Sequence, residues 1–260
     1  MKSNYTTRLQ KGGALLNDMR LLVRSLDQEI PSDDRMLEVV LNNPLNKQTR
    51  TRAADIYRRT FSPRFLKGDP PEAWKIVRPL EDRDFPLGII KPIYYWITAR
   101  SESLIYDFVR DEILTRSKST DKSIRITETV IWLKQKLSQQ GQSWSDTVTL
   151  KVARGLLAAI RDFGVLEGGA KKKLAPVYLP IESFAYLAFT LHRLGHSGEG
   201  LVNHKDWQLF LLRPPMVEKL FLEAHQNRML DYQAAGKIHR IEFFAHNLEE
   251  MADVIHRRPA

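Results

Sequence analysis

A chain of 260 residues, 43% apolar and 27% charged, has the composition of a folded globular protein with enough apolar side chains for a substantial core. It has no cysteine, which excludes a disulfide framework, a thiolate metal site and a cysteine nucleophile, and fits a reducing cytoplasm. Its net charge of +9 points to an anionic partner.

The polar opening "MKSNYTTRLQKGG" lacks the apolar run of a signal peptide, so none is expected. The longest apolar stretch, "IESFAYLAFTLHRL", falls short of the roughly 20 apolar residues a spanning helix needs. No membrane segment is expected. The positive charge is clustered. Residues 1–64 hold 12 Lys/Arg against 7 Asp/Glu, and residues 116–173 hold 12 against 5. Residues 65–115 (7 against 9) and 174–260 (9 against 10) are slightly acidic.

In chain order the pattern is mainly α. Residues 13–26 place Leu15, Leu16, Met19, Leu22, Val23 and Leu26 on one face. Pro31 breaks that helix, and Ser32 caps a second one with Met36, Leu37, Val40 and Leu41 as its stripe. A third helix is expected from Lys47 to Phe61, stopped by Pro63. Residues 67–86 read as a Pro-rich connector with a short helix near Glu72–Leu80. A long helix follows, from Leu87 or Pro92 to Leu114. After the polar boundary 115–123 comes a helix closed by Gly141. The next helix is capped by Ser143 or Ser145 and closed by Gly164. Residues 181–194, "WQLFLL", "PPMVEKLFLEAHQNRML" and Asn247–Ile255 read as helices. Ile238, Ile241, Phe243 and Phe244 form a strand-like run. The units expected are an N-terminal helix-turn-helix-like DNA-binding unit at 1–66, a connector and long helix at 67–122, a winged-helix unit at 123–180 and a C-terminal helical unit at 181–260. The fold class is thus mainly α, with winged helix-turn-helix-like units and short β-hairpins.

The helix over 146–163 separates two faces. Val148, Val152, Leu156, Ile160 and Phe163 form the apolar one. Thr147, Lys151, Arg154, Ala158 and Arg161 form the other, with three cations and no acid. A DNA recognition helix needs that division, because it docks on its own core while presenting cationic and small polar side chains to the major groove. The stretch "GVLEGGAKKKLAPVYLP" follows directly. It reads as a hairpin whose tip carries Lys171, Lys172 and Lys173, the wing of a winged helix, set against backbone phosphates. The alternative is an amphipathic surface helix followed by a solvated loop.

The helix over 47–61 is the second candidate. Lys47, Arg50, Arg52, Arg58 and Arg59 accompany the short polar side chains Gln48, Thr49 and Thr51 at its N-terminus, the end from which recognition helices contact bases. Here too a solvated face is the alternative.

Motifs for catalysis are lacking. There is no phosphate-binding glycine loop, no H-E-x-x-H and no G-x-S-x-G. His192 and His196, with His204 nearby, lack a convincing third ligand, so no metal and no cofactor are expected. "EDRDF" at 81–85 reads as solvated charge. Trp74, Trp96, Trp132, Trp144 and Trp207 are spread out, as core anchors are.

Several long stretches resemble one family. "YTTRLQKGGALLNDMRLLVRSL", "NKQTRTRAADIYRRTF", "WSDTVTLKVARGLLAAIRDFGVLEG" and the run from "PVYLPIESFAYLAFTLH" to "KDWQLFLL" are similar to the BrxA family of bacteriophage exclusion (BREX) systems. The resemblance implies a non-enzymatic accessory protein of phage defence that binds double-stranded DNA through winged-helix elements and works with other BREX components. The family has also been likened to a helical RNA-binding antitermination factor. RNA binding, and an adaptor role in which the basic faces dock acidic protein partners, therefore stand as alternatives.

Overall fold

The structure is a computed structural model that describes residues 5–27, 34–236 and 238–257. The predicted break at Pro31 and cap at Ser32 lie outside those residues. The chain opens with a 3-10 turn, Arg8–Gln10, and then α1, Leu16–Ser25. The first helix thus starts three residues later than its apolar pattern predicts. Residues 9–14 instead form a strap, with Leu9, Gly12 and Ala14 buried. α2 is Arg35–Asn42.

α3, Arg50–Ile56, begins at its Thr49 cap, whose hydroxyl accepts from the Arg52 N–H at 3.2 Å. Lys47 lies before the helix because the Asn43 amide brackets its backbone N–H and carbonyl at 3.1 and 3.0 Å. Pro63 does not stop the third helix. α3 continues as π-helical turns over Tyr57–Leu66 with Pro63 inside them. The wider π turn accommodates the ring and the missing N–H that would break an α-helix. Tyr57, Phe61 and Phe65 stack along its inner side with centroids 5.6 and 5.3 Å apart.

α4 is Trp74–Asp82 and α5 is Leu87–Ser101. The predicted long helix breaks at Glu102, whose backbone is extended (φ −116°, ψ 90°). It resumes as α6, Ser103–Phe108, a π turn at Val109–Ile113 and α7, Leu114–Arg116. Next come β1, Ser123–Ile124, and α8, Ile126–Gln139. Gly141 closes α8 at φ 67°, with Gly141 and Gln142 N–H donating to the carbonyls of Ser138 and Leu137. α9, Asp146–Asp162, starts at Ser145, whose hydroxyl accepts from the Val148 N–H at 3.4 Å. It ends at Gly164 in the same way.

β2, Leu166–Glu167, and β3, Lys172–Leu174, pair antiparallel. Then follow α10, Ile181–Arg193; α11, Gly198–Val202; a 3-10 segment, Lys205–Phe210; and α12, Pro214–Gln226. The expected helix through Leu230 ends earlier, because "LDYQAA" is β4, Leu230–Ala235, paired with β5, Ile238–Phe243. α13, Leu248–His256, completes the fold. Its N-cap Asn247 accepts from the Glu250 N–H through Oδ1, and Glu250 Oε2 reaches back to the His246 N–H just before the cap, each at 2.8 Å.

The chain forms two compact units, Met1–Trp74 with Ile97–Pro176 and Lys75–Trp96 with Val177–Ala260. In the first, α8 packs on α9, and β1, β3 and β2 make a sheet in that order. Its core includes Leu22, Ile56, Phe61, Phe108, Trp132, Val152, Leu156 and Ile160. In the second, α10 is buried on every side from Ile181 to Leu191, a mostly apolar run in which Glu182, Ser183 and Thr190 are the buried polar side chains. Trp96 and Trp207 anchor that core, the Trp96 indole N–H donating to Asp206 at 2.8 Å. Trp74 and Trp132 are also buried, and Trp144 is half-buried.

Candidate nucleic-acid interface

α9 divides as its sequence predicts. Val152, Leu156, Ile160 and Phe163 are buried and Thr147, Lys151, Arg154 and Arg161 are exposed, while Val148 of the apolar face and Ala158 of the cationic one are both half-buried. Lys151 and Arg154 have no acidic partner among the described residues. Arg161 differs: its guanidinium donates to Asp162 at 2.7 Å, so its charge is partly answered within the protein. The other nearby acid, Asp146, is held by Lys134 at 2.7 Å, which keeps its carboxyl below the usual range.

The hairpin after α9 does not carry all three lysines on its tip. The tip is residues 168–171, so Lys171 alone belongs to it, and Lys172 and Lys173 lie in β3. Register explains the difference. Glu167 pairs with Lys173 across the strands, and their side chains meet at 3.0 Å. The Lys172 ammonium turns back to the Gly169 carbonyl at 2.8 Å. Lys171 is exposed.

The second basic stretch is more internally paired than its composition implies. Lys47 meets Asp18 at 2.8 Å. Asp55 lies between Arg52, at 3.6 Å, and Arg59, at 2.6 Å. Thr49 is committed to the helix cap. Gln48, Arg50, Thr51 and Arg58 are exposed, with Arg58 lying against Met36 Sδ.

The strap at residues 9–14 touches both basic stretches. On one side Gly155 of α9 faces the Leu9 carbonyl so closely that a Cβ would overlap it. On the other, a Cβ on Gly12 would sit 2.5 Å from Thr60 Oγ1 in the π-helical segment. Arg64 of that segment donates to the carbonyls of Gly12 and Gly13 at 2.8 Å each. Its Nε lies 3.0 Å from Glu102 Oε1. Burial lowers the pKa of Arg64 and Glu102 opposes that shift. Arg8, one turn before the strap's glycines, also reaches Glu102, at 3.3 Å.

Arg8 and Lys11 are the cations that reading by helix faces missed, because "TTRLQKGG" has no helical period. The only hint in it is a cation pair three apart just before two glycines. "EDRDF" is not simply solvated charge either. Glu81 is buried and accepts from the Tyr94 hydroxyl at 3.0 Å, and Arg83 donates to Asp253 at 2.7 Å. The rings of His196 and His204 are 4.3 Å apart, but no group of three potential metal ligands occurs among the described residues. No helix among those residues is long and apolar enough to cross a membrane.

What these elements define is a mainly helical protein whose two basic stretches are joined to one N-terminal strap. The BrxA family model matches residues 3–190, and the chain belongs to that family, which implies a BREX-associated protein. No curated protein matches it. A crystal structure of an uncharacterized protein from Magnetospirillum magneticum is similar in fold, with a TM-score of 0.57 and 16% identity over 74% of this chain and 95% of that one.

Proposed function

We propose that this protein is a non-enzymatic, cytoplasmic accessory component of a BREX phage-defence system that binds duplex DNA and acts with other BREX components. One observation carries the reading. α8, a turn at residues 140–145 and α9 are followed by the β2–β3 hairpin, with β1 added in the order β1–β3–β2, and the face of α9 turned from that core holds Lys151 and Arg154, which have no acidic partner among the described residues. That order of helices and strands supports a winged helix-turn-helix, in which α9 is the recognition helix and the 168–171 loop is the wing. Lys151 and Arg154 would meet the groove or its phosphates, and Lys171 a neighbouring phosphate. Gln48, Arg50 and Arg58 would supply a second contact.

Labelled duplex DNA and RNA of equal length, titrated between about 50 and 200 mM salt, test this reading. Duplex binding that weakens steeply with salt supports it. A preference for single-stranded or looped RNA would favour the antitermination-like role. Binding to neither, with co-purification of an acidic BREX subunit, would favour an adaptor.

A further inference from the structure

We propose that the pocket between the N-terminal 3-10 turn and the π-helical segment is a binding site for a phosphate group. The pocket is about 300 Å³ and is lined by Thr7, Arg8, Gln10, Lys11, Arg58, Arg59 and Pro63. No acid lines it. Its size is at the lower end of small-ligand pockets, which run from about 300 to 1,000 Å³.

The charges here are not cancelled from behind. The carboxylate behind Arg8 is Glu102, which Arg8 shares with the buried Arg64. The carboxylate beside Arg59 is Asp55, shared with Arg52. Lys11 and Arg58 have no carboxylate partner among the described residues. The same two carboxylates hold Arg8 and Arg59 in place, so two guanidinium forks are positioned in advance; the third, Arg58, rests its Nε on Met36 Sδ, and the Lys11 ammonium has no carboxylate partner among the described residues.

Three guanidinium groups and one ammonium outnumber the two oxygens of a carboxylate ligand. A phosphate, with more acceptor oxygens and up to two charges, answers them better, and arginine forks match its oxygens in pairs. Thr7 and Gln10 add neutral hydrogen-bonding groups at the rim. The phosphate has two possible sources, a free phosphorylated small molecule or the DNA itself. In the second case the site extends the DNA-binding reading above, and in the first it is independent of it.

The test uses the full chain and inorganic pyrophosphate, titrated by calorimetry at about 50 mM salt, where phosphate contacts are strong. The variant is Lys11→Gln with Arg58→Gln, two exposed positions without ion pairs. The control is Arg213→Gln with Lys219→Gln at α12, two exposed cations outside every proposed contact. Lys11→Gln alone serves if the double variant has an altered circular dichroism spectrum. The wild type and the α12 control should bind pyrophosphate alike, and the double variant at least about tenfold more weakly, as expected when charge-assisted hydrogen bonds are removed. Equal loss in both double variants, or no binding by the wild type, would overturn the proposal. Labelled duplex then separates the sources. If pyrophosphate displaces duplex and Lys11→Gln, which leaves the proposed Arg58 contact to DNA intact, weakens duplex binding, the phosphate belongs to DNA. If Lys11→Gln leaves duplex affinity untouched while pyrophosphate binding falls, the ligand is a free phosphorylated molecule. If the wild type binds no duplex at all, the DNA reading fails and the pyrophosphate result still decides the pocket.

Discussion

The guanidinium of Arg64 lies 3.0 Å from the carboxylate of Glu102, and the two side chains are 0% and 3% exposed. The pair joins the π-helical segment to the point where the long helix breaks, and Arg64's remaining N–H groups hold the strap carbonyls. Removing either partner leaves the other charge buried. Glu102→Ala should therefore cost about 3–5 kcal/mol. Urea unfolding of the first unit checks this. A cost below about 1 kcal/mol would mean that water reaches the pair.

Gly155→Ala should destabilise, although alanine is the better helix former by about 1 kcal/mol. The new methyl would occupy the space of the Leu9 carbonyl, a backbone atom that moves only with the strap. Overpacking of this kind costs about 1–3 kcal/mol. A fall in melting temperature, together with faster amide exchange at residues 9–13, is the expected signature. A rise in melting temperature would show that the strap yields freely.

The cations of α9 and the hairpin should not count equally in DNA binding. Lys151→Glu with Arg154→Glu should lower duplex affinity and reduce the log–log salt slope by about 1.8, at about 0.9 for each phosphate contact. Arg161→Gln and Lys173→Gln should have smaller effects, because Asp162 and Glu167 already hold those charges. Salt titrations of all four changes would show the ranking, and a reversed order would contradict the proposed role of α9.

Asp253 should shape the acid limb of stability in the second unit. The Arg83 hydrogen bond holds its carboxyl below the ordinary value of 3.8. A depressed carboxylate stabilises the folded form above its unfolded pKa, and the contribution is lost as pH falls through the folded value. Asp253→Asn should therefore lower the melting temperature at pH 7, with the difference shrinking below pH 3.8. A constant difference across that range would assign the effect to packing of α13.

Some of this was legible in local pattern. Ser145, Gly141 and Gly164 mark the ends of α8 and α9, because capping depends on a few neighbouring backbone groups. The apolar and cationic faces of α9 follow from a 3.6-residue period alone. The lysines at 171–173 were less legible, since their directions depend on which residue of β2 pairs with which of β3. A strand as short as β1 has no periodicity to read, and only its pairing with β3 defines it. The third helix ran past Pro63 because the buried stack of Tyr57, Phe61 and Phe65 favours continuing it with wider turns.

By itself, then, the sequence determined a mainly helical protein with two basic stretches and a helix built with one cationic face, because composition, caps and periodicity act over a few residues. Tertiary structure decided most of the ion pairing that leaves other cations unpaired. Asp55 meets Arg52 and Arg59 within one helical turn, but Asp18, Glu102 and Glu167 reach their partners across turns, strands and, for Arg64 and Glu102, 38 residues of chain. It also decided that Arg8 and Lys11, which have no pattern of their own, stand beside Arg58 and Arg59. Ion pairing depends on distances of a few ångströms, and those distances exist only once the chain has folded.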